Sequence, residues 1–540
     1  MEYIRDPYLK SLAGRGYIEG CTLSDKTTKT PLCHYFGGLR YALPPQQRWR
    51  RAEKLPESYS YGSKYQPGRC SGDTGVCPQP SFLSLSFGDN WSEDCFQTNV
   101  WVPTGEPPKG GWPVLFFIHG GFLQFGTPNI FHAAELLGDA GFNAIVVTPA
   151  YRLGIFGFLS SSELETDAAS VGETSGNQGM WDQRIALEWT RDNIALFGGN
   201  PSQITISGYS AGAYSVFYQL AYDVHLPADQ SIVKQACIWS NSPATQPRNA
   251  LATQAQFNEV LAALHIPLHI SWSEKLARLR ATDSQKLLAA ATSVDTHQFR
   301  PWSDNVFVPS RLFESFDNGN FGRRIAARGV RILLGECRDE RNLYATWFPP
   351  QNTLAGLHKR LLADYHRPAV DALMRLYYPD GRLPANCQNW DCDAFGRIYA
   401  DMQVHYMQRG LIDALVRGGA EHLLYRYRVE YRLKCADKTI PPEWEVTHAT
   451  DQYMWFWGNG ECLEPEEKPI IQRAFIGPLT KFVHGEADIN WGTSNHREIR
   501  KLSPNGSVEI WQDGLWDEAM RIWRGLREVG EPADGTGAKL

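Results

Sequence analysis

The sequence lacks any apolar run long enough to cross a membrane. Runs such as Val114–Ile118 and Ala144–Val147 stop far short of the roughly 20 residues that a membrane helix needs. The first six residues, Met1 to Asp6, also lack the basic and apolar regions of a secretory signal. We therefore expect an intracellular, cytoplasmic protein with no membrane span.

Metal-binding and nucleotide-binding motifs are missing as well. The sequence contains no Cys-x-x-Cys pair, no His-Glu-x-x-His helix, no Walker phosphate loop and no dinucleotide glycine fingerprint. Its 11 cysteines in 540 residues are too sparse for a disulfide scaffold, and their odd number leaves at least one thiol free. Any chemistry is therefore expected to come from side chains alone, without a metal or an organic cofactor.

An excess of positive charge is also absent, since 53 Lys and Arg stand against 59 Asp and Glu, a net charge of −6. This balance argues against a nucleic-acid partner. A hydrophobic content of 43% provides for a large core and excludes a disordered chain. Only the Gly-rich segment 531–540 is predicted to be a flexible tail, and its last residues, Ala538-Lys539-Leu540, resemble a peroxisomal targeting signal. A peroxisomal location is thus the alternative to a cytoplasmic one.

Apolar, β-branched segments alternate with segments of helical periodicity, which is typical of a mostly parallel sheet flanked by helices. In the helical segment before residue 198, Trp181, Ile185 and Trp189 recur every four residues, and Gly198-Gly199 with Pro201 supplies a stop. The predicted buried strands are 114–118, 144–147 and 330–334, and a short strand is predicted at 203–207, directly before a Gly-rich turn.

The segment Gly208-Tyr209-Ser210-Ala211-Gly212 lies between a predicted strand and a predicted helix. A Gly-x-Ser-x-Gly turn in this context is typical of the nucleophile elbow, in which a tight backbone exposes the serine. The alternative interpretation is a structural turn that needs glycines. The context favours Ser210 as a nucleophile.

A second glycine motif, His119-Gly120-Gly121-Phe122, follows the strand 114–118 directly. In an α/β hydrolase this position contributes backbone N–H groups to the oxyanion hole, and glycine permits their close approach. A simple strand-ending turn is the alternative. Finding both motifs in this order favours the catalytic interpretation.

Beyond these motifs the sequence resembles the type-B carboxylesterase and lipase family, the cholinesterase-like branch of the α/β hydrolases, over nearly its whole length. The motif at 119–126 is most similar to that of fungal members. The resemblance implies an α/β-hydrolase fold with a large, mostly parallel central sheet in one domain over residues 1–530. Other matching segments are Phe36–Pro45, Ser92–Cys95, Asn99–Pro103, Asn177–Gly179 and Phe197–Pro201.

The resemblance also implies the partners of Ser210. Glu340 is placed as the acid, with Asp339 and Glu336 as alternatives on the same loop. His448, in Thr447-His448-Ala449, is placed as the base, with His484 as the alternative. The order serine, acid, histidine along the chain is that of α/β hydrolases.

By the same resemblance, the N–H groups of Gly121, Phe122 and Ala211 form the oxyanion hole. The family usually has a third glycine where this sequence has Phe122, so the ring is expected to narrow the acyl side of the pocket. The family pattern further suggests a disulfide between Cys77 and Cys95, which an intracellular location would leave reduced.

Together these features predict a serine carboxylesterase that acts on a small-molecule ester through an acyl-enzyme. Neutral aliphatic or aryl esters are expected rather than choline esters, because Tyr209 occupies the position where cholinesterases carry a glutamate. Cleavage of a thioester, lactone or amide is the alternative reaction. A non-catalytic scaffold of the same fold is the weaker alternative, because Ser210, Glu340 and His448 are all present.

Overall fold

One large sheet organises the fold in a computed structural model that describes residues 3–82, 91–243 and 247–529. Within those residues the sheet has 13 strands in the order β1-β2-β3-β7-β9-β8-β10-β11-β12-β13-β14-β15, with β6 paired to β2, while β4 and β5 form a separate pair. The strands are β1 (Tyr3–Ser11), β2 (Tyr17–Asp25), β3 (Pro31–Arg40), β4 (Ala42–Leu43), β5 (Glu53–Lys54), β6 (Gly68–Arg69), β7 (Gln97–Pro103), β8 (Trp112–Ile118), β9 (Ile145–Pro149), β10 (Gly199–Tyr209), β11 (Val233–Trp239), β12 (Arg331–Cys337), β13 (Leu424–Val429), β14 (Glu498–Leu502) and β15 (Val508–Gln512).

The middle of this sheet is parallel, from β9 through β8, β10, β11, β12 and β13 to β14. Antiparallel strands extend it at both sides, where β7 pairs with β9 and β15 pairs with β14. The predicted α/β-hydrolase fold with a large, mostly parallel sheet is confirmed.

Helices cover both faces of the sheet, so the central strands are buried on both sides. In β8, Val114 and Phe116 join one apolar core while Leu115 and Phe117 join the other, which explains why this strand has a continuous apolar sequence. The helices are α1 (Ala134–Gly138), α2 (Gly154–Phe158), α3 (Ser162–Ala169), α4 (Gln178–Asn193), α5 (Ala211–Asp223), α6 (Ala250–Ala263), α7 (Trp272–Ala281), α8 (Ser284–Ser293), α9 (Glu314–Asp317), α10 (Asn320–Arg328), α11 (Arg341–Tyr344), α12 (Leu354–Leu361), α13 (Arg367–Tyr377), α14 (Phe395–Ala400), α15 (Tyr406–Arg417), α16 (Gln452–Trp455), α17 (Glu467–Ile471), α18 (Gly477–Val483) and α19 (Trp516–Val529).

The strand and helix before the elbow differ in their bounds from the prediction. Helix α4 ends at Asn193, and a short 3-10 turn leads to Gly198, whose φ of 84° is left-handed. Strand β10 begins at Gly199 rather than at Gln203, and its pairing with β8 is irregular between Gly199 and Ile204. The strand therefore accommodates Pro201 ahead of its regular pairing, a position where proline is tolerated.

Four sequence predictions concern the membrane, the C-terminal tail, the number of domains and the cellular location. Among the described residues, no helix combines the length and apolar character that crossing a bilayer requires. The predicted tail, with Ala538-Lys539-Leu540, lies outside the described residues. The single domain over 1–530 and the cellular location stay predictions.

Candidate active site

Ser210 lies at the turn between strand β10 and helix α5. Its backbone has a φ of 54° and a ψ of −126°, a strained conformation for a residue with a side chain. The Ser210 N–H donates to the carbonyl of Trp239 on the neighbouring strand β11 (2.9 Å). The strand and the first turn of α5 thus hold the serine in this conformation, as the elbow motif predicts.

The glycines around Ser210 are required by close backbone contacts. A Cβ on Gly208 would lie 2.3 Å from the Gly212 carbonyl oxygen, and one on Gly212 would lie 2.0 Å from that of Ile118. A Cβ on Gly120 would lie 2.9 Å from the Ser210 Cβ. The two glycine motifs are therefore packed against each other at the ends of β8 and β10.

Glu340 and His448 are in direct contact. Strand β12 ends at Cys337, and Glu340 precedes helix α11, with its side chain fully buried. Its Oε2 lies 2.5 Å from the Nδ1 of His448, and its Oε1 accepts a hydrogen bond from the Cys337 N–H at 2.8 Å. Both carboxylate oxygens are thus occupied, and the imidazole is held by one of them.

The two alternative acids are engaged elsewhere. Asp339 pairs with Arg338 (2.8 Å) and accepts a hydrogen bond from the Val446 N–H (3.2 Å). Glu336 is buried and pairs with Arg409 (2.8 Å) and Arg428 (2.5 Å). Although burial alone would raise it, these cations hold the pKa of Glu336 well below its ordinary value. Within the described residues, neither carboxylate contacts His448.

The second ring nitrogen of His448 has no partner within the part of the chain that the structure describes. Its Nε2 is buried and makes no hydrogen bond to any described residue. The hydroxyl of Tyr209, the residue before Ser210, accepts a hydrogen bond from the N–H of Ala449 (2.6 Å) and so holds the histidine segment to the elbow. The alternative base, His484, lies at the end of α18. Its Nε2 contacts the carbonyl of Asn143 (2.8 Å).

The three N–H groups assigned to the oxyanion hole have no acceptor among the described residues. None of Gly121, Phe122 and Ala211 donates a backbone hydrogen bond within the part of the chain that the structure describes. Gly121 has a φ of 104° and Phe122 a φ of 56°, so both lie in the left-handed region. For Phe122 this conformation is strained, because it carries a side chain where glycine would have none.

The Phe122 ring belongs to a buried aromatic cluster. It stacks on Trp347, with ring centroids 4.5 Å apart and planes 4° from parallel, and packs edge-on against Tyr344 at 5.7 Å. Phe82 packs against both Phe122 (6.2 Å) and Trp347 (4.9 Å). This packing offsets the backbone strain at Phe122 and occupies space beside the N–H groups.

Tyr344 and Asn241 are site residues that the sequence reasoning missed. The Tyr344 ring lies 4.6 Å from that of His448, and its hydroxyl lies beside the Ser210 and Asn241 side chains. The hydroxyl and the Asn241 Oδ1 are buried and lack hydrogen-bond partners among the described residues. Tyr344 could have been found from its spacing, because it follows Glu340 by about one helical turn. Asn241 carries no such signal.

Asp451 is a second buried carboxyl near His448. It accepts hydrogen bonds from the Tyr427 hydroxyl (3.0 Å) and the Trp455 indole (3.2 Å). Burial first, then the charge of Glu340, raises its pKa. The residue fixes the turn that follows His448.

Cys77 and Cys95, the pair suggested as a disulfide, are both buried free thiols in this structure. Their contact, together with burial, raises the pKa of Cys95 well above its ordinary value. They are adjacent but unbonded.

Known proteins resemble this chain over almost its full length. A carboxylic ester hydrolase of Gibberella moniliformis is 42% identical over 532 residues, which cover 97% of this chain and 96% of that protein. An uncharacterized esterase/lipase of Schizosaccharomyces pombe is 37% identical over 539 residues, 97% of each chain. The crystal structure of Aspergillus niger EstA matches 97% of this chain and 99% of its own with a TM-score of 0.73, and its 20% identity shows the fold alone.

The match to a family model covers most of the sequence. The model of the carboxylesterase family matches residues 9–513, which include both glycine motifs, the acid loop and the histidine segment. The chain belongs to the carboxylesterase family.

Proposed function

We propose that Ser210, His448 and Glu340 hydrolyse a carboxylic ester through an acyl-enzyme, with the N–H groups of Gly121, Phe122 and Ala211 as the oxyanion hole. As a member of the carboxylesterase family, the protein is a carboxylic ester hydrolase. The observation that carries the residue assignment is the 2.5 Å contact of Glu340 with the His448 Nδ1, combined with the unpartnered Nε2 on the other side of the ring.

In the reaction, the His448 Nε2 accepts the Ser210 proton while Oγ attacks the ester carbonyl. Glu340 keeps the imidazole in the tautomer with its proton on Nδ1 and stabilises the imidazolium. The three free N–H groups stabilise the oxyanion that develops. His448 then gives the proton to the leaving alcohol, and a water molecule activated by the same ring releases the acid and restores Ser210.

The proposed substrates are neutral aliphatic or aryl esters. A choline site depends on an aromatic face, usually with a nearby negative charge. At the position before the nucleophile this chain has Tyr209, whose hydroxyl is committed to the Ala449 N–H. The Phe122 ring favours small acyl groups, because it fills space beside the oxyanion donors.

The test is hydrolysis of a panel of 4-nitrophenyl esters by the wild-type protein and Ser210→Ala. We expect kcat to fall by up to about 10⁶-fold, the order seen when a serine nucleophile is removed, with no loss of folding. Ser215→Ala is the matched control, since Ser215 lies on the same helix with its hydroxyl bonded to the Ala211 carbonyl (3.1 Å). Activity of Ser210→Ala within about tenfold of the wild type would mean that another group is the nucleophile.

A separate comparison of a choline ester with its uncharged carbon isostere tests the substrate class. We expect kcat/KM to be higher for the uncharged isostere than for the choline ester. A choline advantage above about tenfold, roughly 1.4 kcal/mol of transition-state binding, would contradict the preference for neutral esters.

A further inference from the structure

A cavity of about 460 Å³ lies at the acid loop and is lined by Arg338, Asp339 and Arg341, the neighbours of Glu340 in the chain. This volume falls in the range of roughly 300–1,000 Å³ that is typical of small-molecule sites. Arg397 and Arg428 also line it, and we call it the arginine cavity. Neither Ser210 nor His448 is among its lining residues.

Two of the four arginines in this wall have no carboxylate partner among the residues that the structure describes. Arg338 pairs with Asp339 (2.8 Å), and Arg428 pairs with Glu336 (2.5 Å). Arg341 and Arg397 form no ion pair with any described residue. Arg397 donates from Nη2 to the Asn386 carbonyl (3.1 Å), and its guanidinium also contacts the Cys387 thiol. Because Arg341 and Arg397 line the cavity and neither is neutralised by a carboxylate of the described residues, their guanidinium groups are available to an anion there.

The acidic residues of the lining do not cancel this charge. Asp339 is already bound to Arg338 (2.8 Å). Asp401 accepts a hydrogen bond from the Tyr377 hydroxyl (3.0 Å) and pairs with no arginine of the wall within the described residues. His405, next to it, lies 3.1 Å from the Glu336 carboxylate. Arg341 and Arg397 therefore have no carboxylate within ion-pair distance among the described residues.

Aromatic and apolar side chains make up much of the remaining lining, beside Asn386 and Cys387. Tyr377, Tyr378 and Tyr406 contribute rings, and Pro384 and Leu515 contribute apolar surface. An inorganic anion would leave this surface facing water. A ligand with a planar ring and one carboxylate would cover it and also match the planar, bidentate geometry of a guanidinium.

We propose that the arginine cavity is a binding site for a small aromatic carboxylate, with the carboxylate received by Arg341 and Arg397 and the ring packed against the three tyrosines. The site is separate from the ester site, and binding there involves no covalent step. Because its wall includes the residues on both sides of Glu340, a ligand there contacts the loop that carries the proposed triad acid.

The test is isothermal titration calorimetry with benzoate. An aromatic acid is also a product of the proposed reaction, so the protein is first treated with a fluorophosphonate to block Ser210. We expect saturable binding to the treated protein with a Kd of about 1 mM or tighter, and no binding of benzamide, the uncharged counterpart.

Variants locate the site. Arg341→Gln with Arg397→Gln should weaken benzoate binding at least about tenfold, as expected for lost charge-assisted hydrogen bonds. Arg324→Gln, an exposed arginine on α10 outside the cavity, should leave the Kd unchanged. A thermal melt checks that each variant folds. If the double variant does not, each single variant should still weaken binding.

Three results would overturn the proposal: no saturable binding of benzoate to the treated protein, an unchanged Kd in the arginine variants, or displacement of benzoate by lower concentrations of inorganic phosphate. The measurement follows binding and needs no turnover. A negative result in the benzoate titration would therefore not affect the proposal of ester hydrolysis. Conversely, if Ser210→Ala kept its activity, the effect of the arginine variants on benzoate binding could still be interpreted.

Discussion

Glu340 differs from its two acidic neighbours in what each carboxylate contacts. Asp339 lies next to it in the chain but binds Arg338 and the Val446 N–H. Glu340 turns inward, with one oxygen on the Cys337 N–H and the other on His448. A difference of one residue thus separates a carboxylate that orients the imidazole from one that ties two surface segments together.

At this scale we predict that Glu340→Gln lowers kcat/KM by about 10⁴-fold, the order found when a triad acid becomes an amide and stabilises the wrong histidine tautomer. Asp339→Asn, the matched control, should stay within about tenfold of the wild type, because Asp339 does not contact His448. Steady-state kinetics with a 4-nitrophenyl ester measures both. A larger loss of kcat/KM in Asp339→Asn than in Glu340→Gln would identify Asp339, rather than Glu340, as the triad acid.

In the turn after β8 the chain has Phe122 where the family usually has a glycine. Phe122 keeps its backbone N–H but holds a φ of 56°, and its ring is fixed against Trp347. The positive φ at position 122 alone would favour glycine there. The packing of the Phe122 ring therefore determines the width of the site at this turn.

We predict that Phe122→Gly raises kcat/KM for a branched acyl ester relative to the acetyl ester by about tenfold or more, because a hydrophobic pocket discriminates by this order for one or two methyl groups. Glycine also relieves the strain at this φ. The measurement compares 4-nitrophenyl acetate with 4-nitrophenyl 2-methylpropanoate. Phe125→Leu serves as the control, since Phe125 packs on the same tryptophan (5.2 Å) without supplying an assigned donor. An unchanged ratio in Phe122→Gly, or an equal change in the control, would show that the Phe122 ring does not limit the acyl group.

The sequence predicted those elements that are specified by residues close together in the chain. The strand β8, the helix α4 and the elbow follow from residues within a short segment, so periodicity and glycine spacing were sufficient. Trp347, Phe82 and Asn241 come from separate segments that meet only in the folded protein, and no local pattern marks them. The predicted start of β10 at residue 203 was wrong, because Pro201 suggested a break before it. The strand begins at Gly199, and its irregular pairing with β8 after Gly199 accommodates the proline.

Across the whole molecule, a buried network of charges connects the sheet to the helices behind the acid loop. Arg409 on α15 pairs with Glu336 on β12 (2.8 Å) and with Asp513 after β15 (2.8 Å). Asp401 lies beside this network, facing Tyr377, His405, Arg409 and Glu336. Burial, with a smaller contribution from Glu336, raises its pKa from 3.8 to about 6.

Because the folded state raises this pKa, Asp401 contributes stability below pH 3.8, and that contribution is lost as the pH rises through about 6. We therefore predict that Asp401→Asn has a higher Tm than the wild type at pH 8, by about 1–3 °C. The difference should shrink as the pH falls through about 6. Thermal melts of both proteins across this range measure it. A variant less stable than the wild type at pH 8 would show that ionised Asp401 stabilises the fold.

The most direct test of the account is the site of covalent labelling. An alkyl fluorophosphonate reacts with an activated serine, so the intact protein should take up one equivalent, and tandem mass spectrometry of its peptides should place the adduct on Ser210. Glu340→Gln should label much more slowly, and heat-denatured protein should not label. Localisation of the adduct on another residue, or labelling of the denatured protein at the same rate, would contradict the assignment of Ser210 as the nucleophile.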